Sequence, residues 1–286
     1  MRRYWRWLSL LMILAGMPYL LGANGCGGGV ALAFGINERT EIDIGQDAAR
    51  EIEAEYGVVN DPVQTPRIQQ IGYAIASRSP RANLPWSFKI LNLQEINAVS
   101  LPGGPIYVTR GLLATGLSDN ELAAVLAHEI AHVTERHAVK AIQSAMTYQL
   151  IADLVLGGSS EALRMAADLA AEYALLLPRS RSDEYEADAV GIRLAYNAGY
   201  PANGMVIFLQ RLMTATGPDR TPAWARTHPL TQDRITRADQ VVAEVAGQPR
   251  PVPVALSEEN LKILKSLNDA EQKTPATVPT AKPVTE

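Results

Sequence analysis

The stretch Ala124–Ala138, AVLAHEIAHVTERHA, gathers three of the chain's four histidines within ten residues of otherwise apolar sequence. Such a cluster is either a solvated helix face or a metal site. Within it, His128-Glu129-Ile130-Ala131-His132 has the form H-E-x-x-H. On a helix, residues four apart project from one face, so both imidazoles reach a single ion. Glu129 lies about 100° further round, close enough to act as a base on a water without being a ligand. Ser118 and Glu121 in SDNE form a capping-box signature just upstream, so the motif sits on a helix. That helix is expected to continue into the 140s. His137, five residues past His132, then points away from the metal face and is expected at the surface.

Catalytic zinc takes three protein ligands and keeps one open position. A third ligand must therefore come from another element, which commits the fold to packing one against this helix. Glu184 in SRSDEYEADAVG is the best candidate. It stands four residues before Asp188 on a predicted helix, so one could bind metal while the other orients a ligand histidine. The residues alone leave a second reading equally open, in which Asp183, Glu184, Glu186 and Asp188 form a solvated acidic face.

The rest of the chain sets the frame. With 47% hydrophobic residues in 286, it is globular and has enough sequence for a large core. Its net charge of −4 argues against a nucleic-acid partner, which needs a basic face. A lone cysteine, Cys26, excludes an intramolecular disulfide. Residues 1–25 begin with Arg2, Arg3 and Arg6, continue through an apolar run broken at Pro18, and read as a secretory signal. Cys26 followed by three glycines resembles a bacterial lipobox, which implies a lipidated mature N-terminus and membrane attachment. Ordinary cleavage and an uncleaved anchor are the alternatives, and each of the three exports the protein. Residues 26–39 read as a linker and 40–247 as the folded domain. Residues 248–286 read as a short helix and a disordered Pro/Thr-rich tail.

Inside the domain, the segments starting at Glu41 and Pro66 have helical periodicity, the first stopping at Gly57. Trp86, Phe88, Ile90 and Leu93 suggest a strand. INAVSLPGGPIYVTR reads as two short strands around a Pro-Gly-Gly turn, and Pro105 favours an edge strand or a strand start. The alanine-rich stretch from Met146 to Leu177 reads as a core helical hairpin, with a lid over the site as the alternative.

H-E-x-x-H followed about fifty residues later by Ser180-Arg181, Glu184 and Ala187-Asp188 resembles the CAAX prenyl protease type I and HtpX-like family of zinc metallopeptidases. IGQDAAREIEAEYGVVNDP, LPWSFKIL, INAVSLPGGPIYVTRGLL and THPLTQDRI look like family segments in the family's order. The likeness extends from Thr40 to Val245 and is nearest to the exported bacterial BepA-like branch, whose C-terminal helical-repeat domain is not expected here. Val99 and Pro105 depart from the usual pattern, in which phenylalanine and a residue with an N–H are common.

The resemblance implies a gluzincin domain: an α+β fold, predominantly helical, with a small antiparallel sheet and an edge strand for substrate. It implies one zinc ion per chain held by His128, His132 and Glu184, with Glu129 as general base and Asp188 as partner of a ligand histidine. The substrate strand falls on Gly104, Ile106, Tyr107 and Val108. His228, the fourth histidine, lies in the family's His-Pro stretch and is assigned as a catalytic donor to the oxyanion. Two other readings of His228 stand beside it: a ligand closing zinc's open position, and a surface loop residue.

The function expected is an exported zinc endopeptidase of the bacterial envelope and periplasm. Its partners are unfolded or misassembled proteins and, through Cys26, a membrane. A mainly non-proteolytic chaperone or assembly factor with a latent zinc site is the alternative from another class, and a hydrolase of non-peptide bonds is a third. An intact Glu129 counts against the chaperone, since a structural site needs no base.

Overall fold

The computed structural model describes residues 35–157, 160–215 and 222–247. The leader, Cys26 and the tail beyond Gly247 lie outside the described residues. No helix among the described residues is long and apolar enough to cross a membrane.

Helix α1 (Glu38–Tyr56) starts where the Asn37 side chain accepts from the Thr40 N–H and ends at Gly57, whose φ of 76° suits glycine. It buries Ile44, Ala48 and Ile52 on one face. After a short strand β1 (Val58–Val59) comes α2 (Gln64–Ala76), then strands β2 (Ser87–Leu91), β3 (Ala98–Ser100) and β4 (Pro105–Thr109). The turn between β3 and β4 needs left-handed backbone, which Gly103 and Gly104 supply at φ 74° and 124°.

The sheet order is β1-β2-β4-β3, with β2 and β4 parallel and the other two pairs antiparallel. The sheet is therefore mixed rather than antiparallel. It also corrects the substrate strand: Ile106, Tyr107 and Val108 lie on an interior strand paired on both sides. Gly104 lies in the turn before it. A strand with both ladders occupied has no free N–H or C=O row for a peptide. The edge beside β4 belongs to β3, which ends at Ser100. Pro105 takes the first position of its strand, one of the two placements its missing N–H allows.

Side chains alternate across this sheet and divide the core in two. Phe88, Ile90, Ile106 and Val108 join the apolar cluster that includes Ile68 and Ile75 of α2. Leu91, Val99 and Tyr107 join a second cluster with Ile44 and Ile52 of α1. After a short α3 (Arg110–Ala114), helix α4 (Asp119–Thr134) is buried along almost its whole length. That all-round burial explains its apolar sequence: it is the central helix, not an amphipathic surface one.

The predicted continuation of α4 into the 140s does not occur. Arg136 adopts φ 59° and ψ 35°, the one non-glycine at positive φ among the described residues, and a new helix, α5 (His137–Ala145), starts after it. Helices α6 (Tyr148–Val155) and α7 (Ser160–Leu175) complete the alanine-rich stretch. Ala162, Ala166, Ala167, Ala170 and Ala174 are buried in the cluster with α1, so the segment is a core hairpin. Helices α8 (Arg181–Asn197), α9 (Gly204–Ala215), α10 (Ala223–Thr227) and α11 (Gln232–Ala246) follow.

Candidate metal centre

The capping box forms as expected: Ser118 Oγ accepts from the Glu121 N–H and the Glu121 carboxylate accepts from the Ser118 N–H. It fixes the start of α4 and thereby the phase at which His128, Glu129 and His132 face α8. Gly191 lets α8 come close, since a Cβ there would lie 3.0 Å from the His128 backbone nitrogen. This contact brings Glu184 and Asp188 against the two histidines.

The donor atoms converge. His128 Nε2 and His132 Nε2 are 3.0 Å apart, and Glu184 places one carboxylate oxygen 3.5 Å from the first and the other 3.4 Å from the second. His228, at the C-terminus of α10, adds Nδ1 at 3.2 Å from His128 Nε2 and 3.1 Å from Glu184 Oε1. All four side chains are buried, and their donor atoms lie within 4.8 Å of one another. Ligand bonds of about 2.0–2.1 Å in a tetrahedron put neighbouring ligand atoms roughly 3.3 Å apart. The spacings observed bracket that value, and a set of imidazole nitrogens plus a carboxylate suits zinc. The residues present fit the ion.

Each ligand histidine is oriented from behind. His128 Nδ1 faces Asp188 Oδ1 at 2.9 Å, an ion-pair contact on the side of the ring away from Nε2. Asp188 is in turn gripped by Arg234 of α11, whose Nε and Nη2 donate to its two oxygens at 2.8 and 2.7 Å. Arg234 Nη1 also lies 2.6 Å from Glu184 Oε2, so one buried guanidinium sets both carboxylates of α8. Sequence reasoning missed Arg234, because a single arginine on an amphipathic helix carries no local mark of a partner on another helix.

His137 overturns the expectation that it lies at the surface. It is buried, its Nδ1 is 2.7 Å from His132 Nδ1, and its Nε2 is 3.1 Å from Glu186 Oε2. The left-handed Arg136 makes this possible by turning the chain back. Arg136 is itself held by Glu41, whose Oε2 accepts from Nε at 2.8 Å, and by the Ile36 carbonyl. His132 Nδ1–H donates to His137, and His137 Nε2–H donates to Glu186. This fixes His132 in the tautomer that turns Nε2 to the metal. His137→Ala is expected to weaken metal binding about 10- to 100-fold, with partial recovery in His137→Asn, whose amide oxygen can still accept. Chelator competition reads the affinity, and an unchanged value in the alanine variant would reduce His137 to packing.

Glu129 stands apart from the donor set. Ser100 Oγ donates to its Oε2 at 2.7 Å, which ties it to edge strand β3. Its Oε1 has no hydrogen-bond partner and lies 3.4 Å from His228 Nε2. Complete burial raises its pKa, improving it as a base. Burial works against a charge on His128, but Asp188 and Glu184 overcome it and lift the imidazole to about 9. For His228 burial prevails, with the charge of Arg179 behind it, and the pKa falls to about 3. A neutral His228 keeps a lone pair for a metal. A small cleft opens beside His132, lined in part by Ser100, Leu101, Pro102 and Tyr173.

Comparison with known proteins agrees with this geometry. The sequence model of peptidase family M48 matches residues 62–242. The beta-barrel assembly-enhancing protease of Escherichia coli (strain K12) is 30% identical over 229 residues, 77% of this chain and 46% of that protein. A putative beta-barrel assembly-enhancing protease of Vibrio cholerae is 32% identical over 206 residues, 68% of this chain and 43% of its own length. The mitochondrial metalloendopeptidase OMA1 of Schizosaccharomyces pombe is 31% identical over 213 residues, 71% of this chain and 61% of the other. The chain thus spans about half the length of the curated bacterial relatives it matches.

Proposed function

The chain belongs to peptidase family M48, and from that membership we propose that it is an exported zinc-dependent endopeptidase acting on misfolded or misassembled proteins of the bacterial envelope. The observation that carries the reading is the buried donor cluster with a separately anchored carboxylate beside it. His128, His132 and Glu184 would hold the metal, with His228 Nδ1 placed to serve as a further donor in the resting enzyme. Zinc held there supplies Lewis-acid chemistry, acidifying water and polarising a peptide carbonyl.

The chain's own residues do the rest. Glu129 keeps Oε2 on Ser100 and receives the proton of the attacking water at Oε1, then delivers it to the leaving amine. Ser100 thereby couples the base to the strand beside the cleft. An extended peptide adds to β3, which has no partner strand on its outer side among the described residues, and such backbone pairing selects unfolded chains with little regard to side chain. Arg234 and His137 hold the ligands in place throughout. Relatives named for β-barrel assembly support an envelope role, and lipidation of Cys26 would keep the enzyme at a membrane.

Purified protein is expected to contain about one zinc per chain and to digest casein or another unfolded protein. A chelator should abolish that digestion and added zinc restore it. Glu184→Ala should lose the metal. Digestion that persists after the metal has been stripped would defeat the proposed chemistry, and full zinc occupancy in Glu184→Ala would remove Glu184 from the ligand set.

A further inference from the structure

Arg179 lies in the loop between α7 and α8, is 3% exposed, and has no hydrogen-bond partner on Nε, Nη1 or Nη2. A guanidinium carries five N–H donors, accepts nothing and stays charged at any working pH. Burying one unpaired is costly, and a fold keeps it only where a partner arrives later or another gain compensates. No hydrogen bond or step proposed for the metal centre uses its N–H groups.

Its surroundings say what is missing. The backbone N–H of Arg179 donates to the Thr227 carbonyl at 2.9 Å, which fixes it to the residue before His228. The guanidinium carbon stands 5.1 Å from the centre of the Tyr173 ring, and Tyr173 lines the cleft beside His132. The Tyr173 hydroxyl is also buried without a partner. Two neighbouring buried donor groups, the Tyr173 hydroxyl on the cleft wall and the Arg179 guanidinium behind it, have no acceptor.

We propose that Arg179, seated on Tyr173, is a carboxylate-binding subsite of the cleft, which receives an acidic group of the peptide substrate. The planar fork of the guanidinium matches a carboxylate in bidentate fashion, and the tyrosine hydroxyl supplies a further donor. The acid is either an Asp or Glu side chain near the scissile bond or the peptide's C-terminal carboxylate. The inference rests on the reading of this cleft as a protease site, and it adds a side-chain or chain-end preference to the backbone recognition at β3.

Binding of labelled, unstructured peptides to Glu129→Gln protein tests it without turnover. One apolar peptide carries Gln or Glu at each of four central positions in turn, with its C-terminus amidated or free. At least one acid-bearing form is expected to bind about 10- to 100-fold more tightly than its neutral twin. Glutamate forms identify a side-chain subsite, and the free terminus identifies a chain-end subsite. Arg179→Met on the same background should erase the preference, Arg179→Lys should keep part of it, and Tyr173→Phe should weaken it. Equal weakening of every peptide in Arg179→Met would overturn the subsite in favour of a general oxyanion or structural role. No preference in the parent protein would also overturn it. Should Arg179→Met fail to fold, the lysine and Tyr173→Phe variants carry the test by the same criterion. Absence of casein digestion by the Glu129-intact enzyme would count against the protease reading alone, because peptide binding is read separately.

Discussion

Glu129→Gln is expected to retain about one metal ion per chain and to lose about 10²- to 10⁴-fold in kcat, the usual scale for a general base. The separation follows from the geometry. Glu129 is absent from the four converging donors, so the metal does not depend on it. Glutamine has nearly the same shape and can still accept from Ser100 Oγ, so β3 and α4 should stay in register. What disappears is the capacity of Oε1 to take a proton. Metal analysis and casein digestion on the same preparation check this. Loss of metal along with activity would make Glu129 a ligand, and a fully active variant would end its role as base.

What the sequence disclosed about this site divides along physical lines. H-E-x-x-H, the capping box and the Glu184–Asp188 spacing are local helical patterns, and each takes its expected place. They are legible because the helix repeat alone determines which side chains share a face. His137 was misplaced by the same rule: a spacing of five points away only if the helix is unbroken, and Arg136 breaks it. No glycine or proline announced that turn. The contacts of Arg136 to Glu41 and Ile36, which stabilise it, come from nearly a hundred residues away.

Other misses are also failures of long range. Ser100 and Arg234 act on the site through single side chains, Arg234 from 46 residues beyond Asp188. Nothing in their immediate sequence distinguishes them from an ordinary strand serine or a surface arginine. The two strands around the Pro-Gly-Gly turn were legible from β-rich residues and turn chemistry. Their order in the sheet was not. Parallel pairing of β4 with β2 places the proline-led strand inside and leaves β3 at the edge, and hairpin reasoning cannot see the third strand. With β3 at the edge, the strand proposed to receive substrate also carries Ser100, whose hydroxyl donates to Glu129, the proposed base.

His228→Ala is expected to keep its metal and to raise basal turnover, by about 10- to 100-fold if the closed site is favoured by roughly 1.4–2.8 kcal/mol. The spacing of Nδ1 from His128 and Glu184 is that of a fellow ligand, not of a donor waiting for an oxyanion. Burial keeps the ring neutral, as a ligand must be. Trp224 stacks on it at 4.5 Å with an interplanar angle of 13°, which holds it inward. His128, His132 and Glu184 still provide three ligands once it is gone, the number a catalytic zinc site uses. The alanine variant opens the fourth position for water, and its metal affinity should fall modestly while its activity climbs. Zinc content and kcat measured together decide the matter. A fall of ~10²–10³ in kcat with zinc retained would instead make His228 an oxyanion donor. No change in either quantity would deny it both roles.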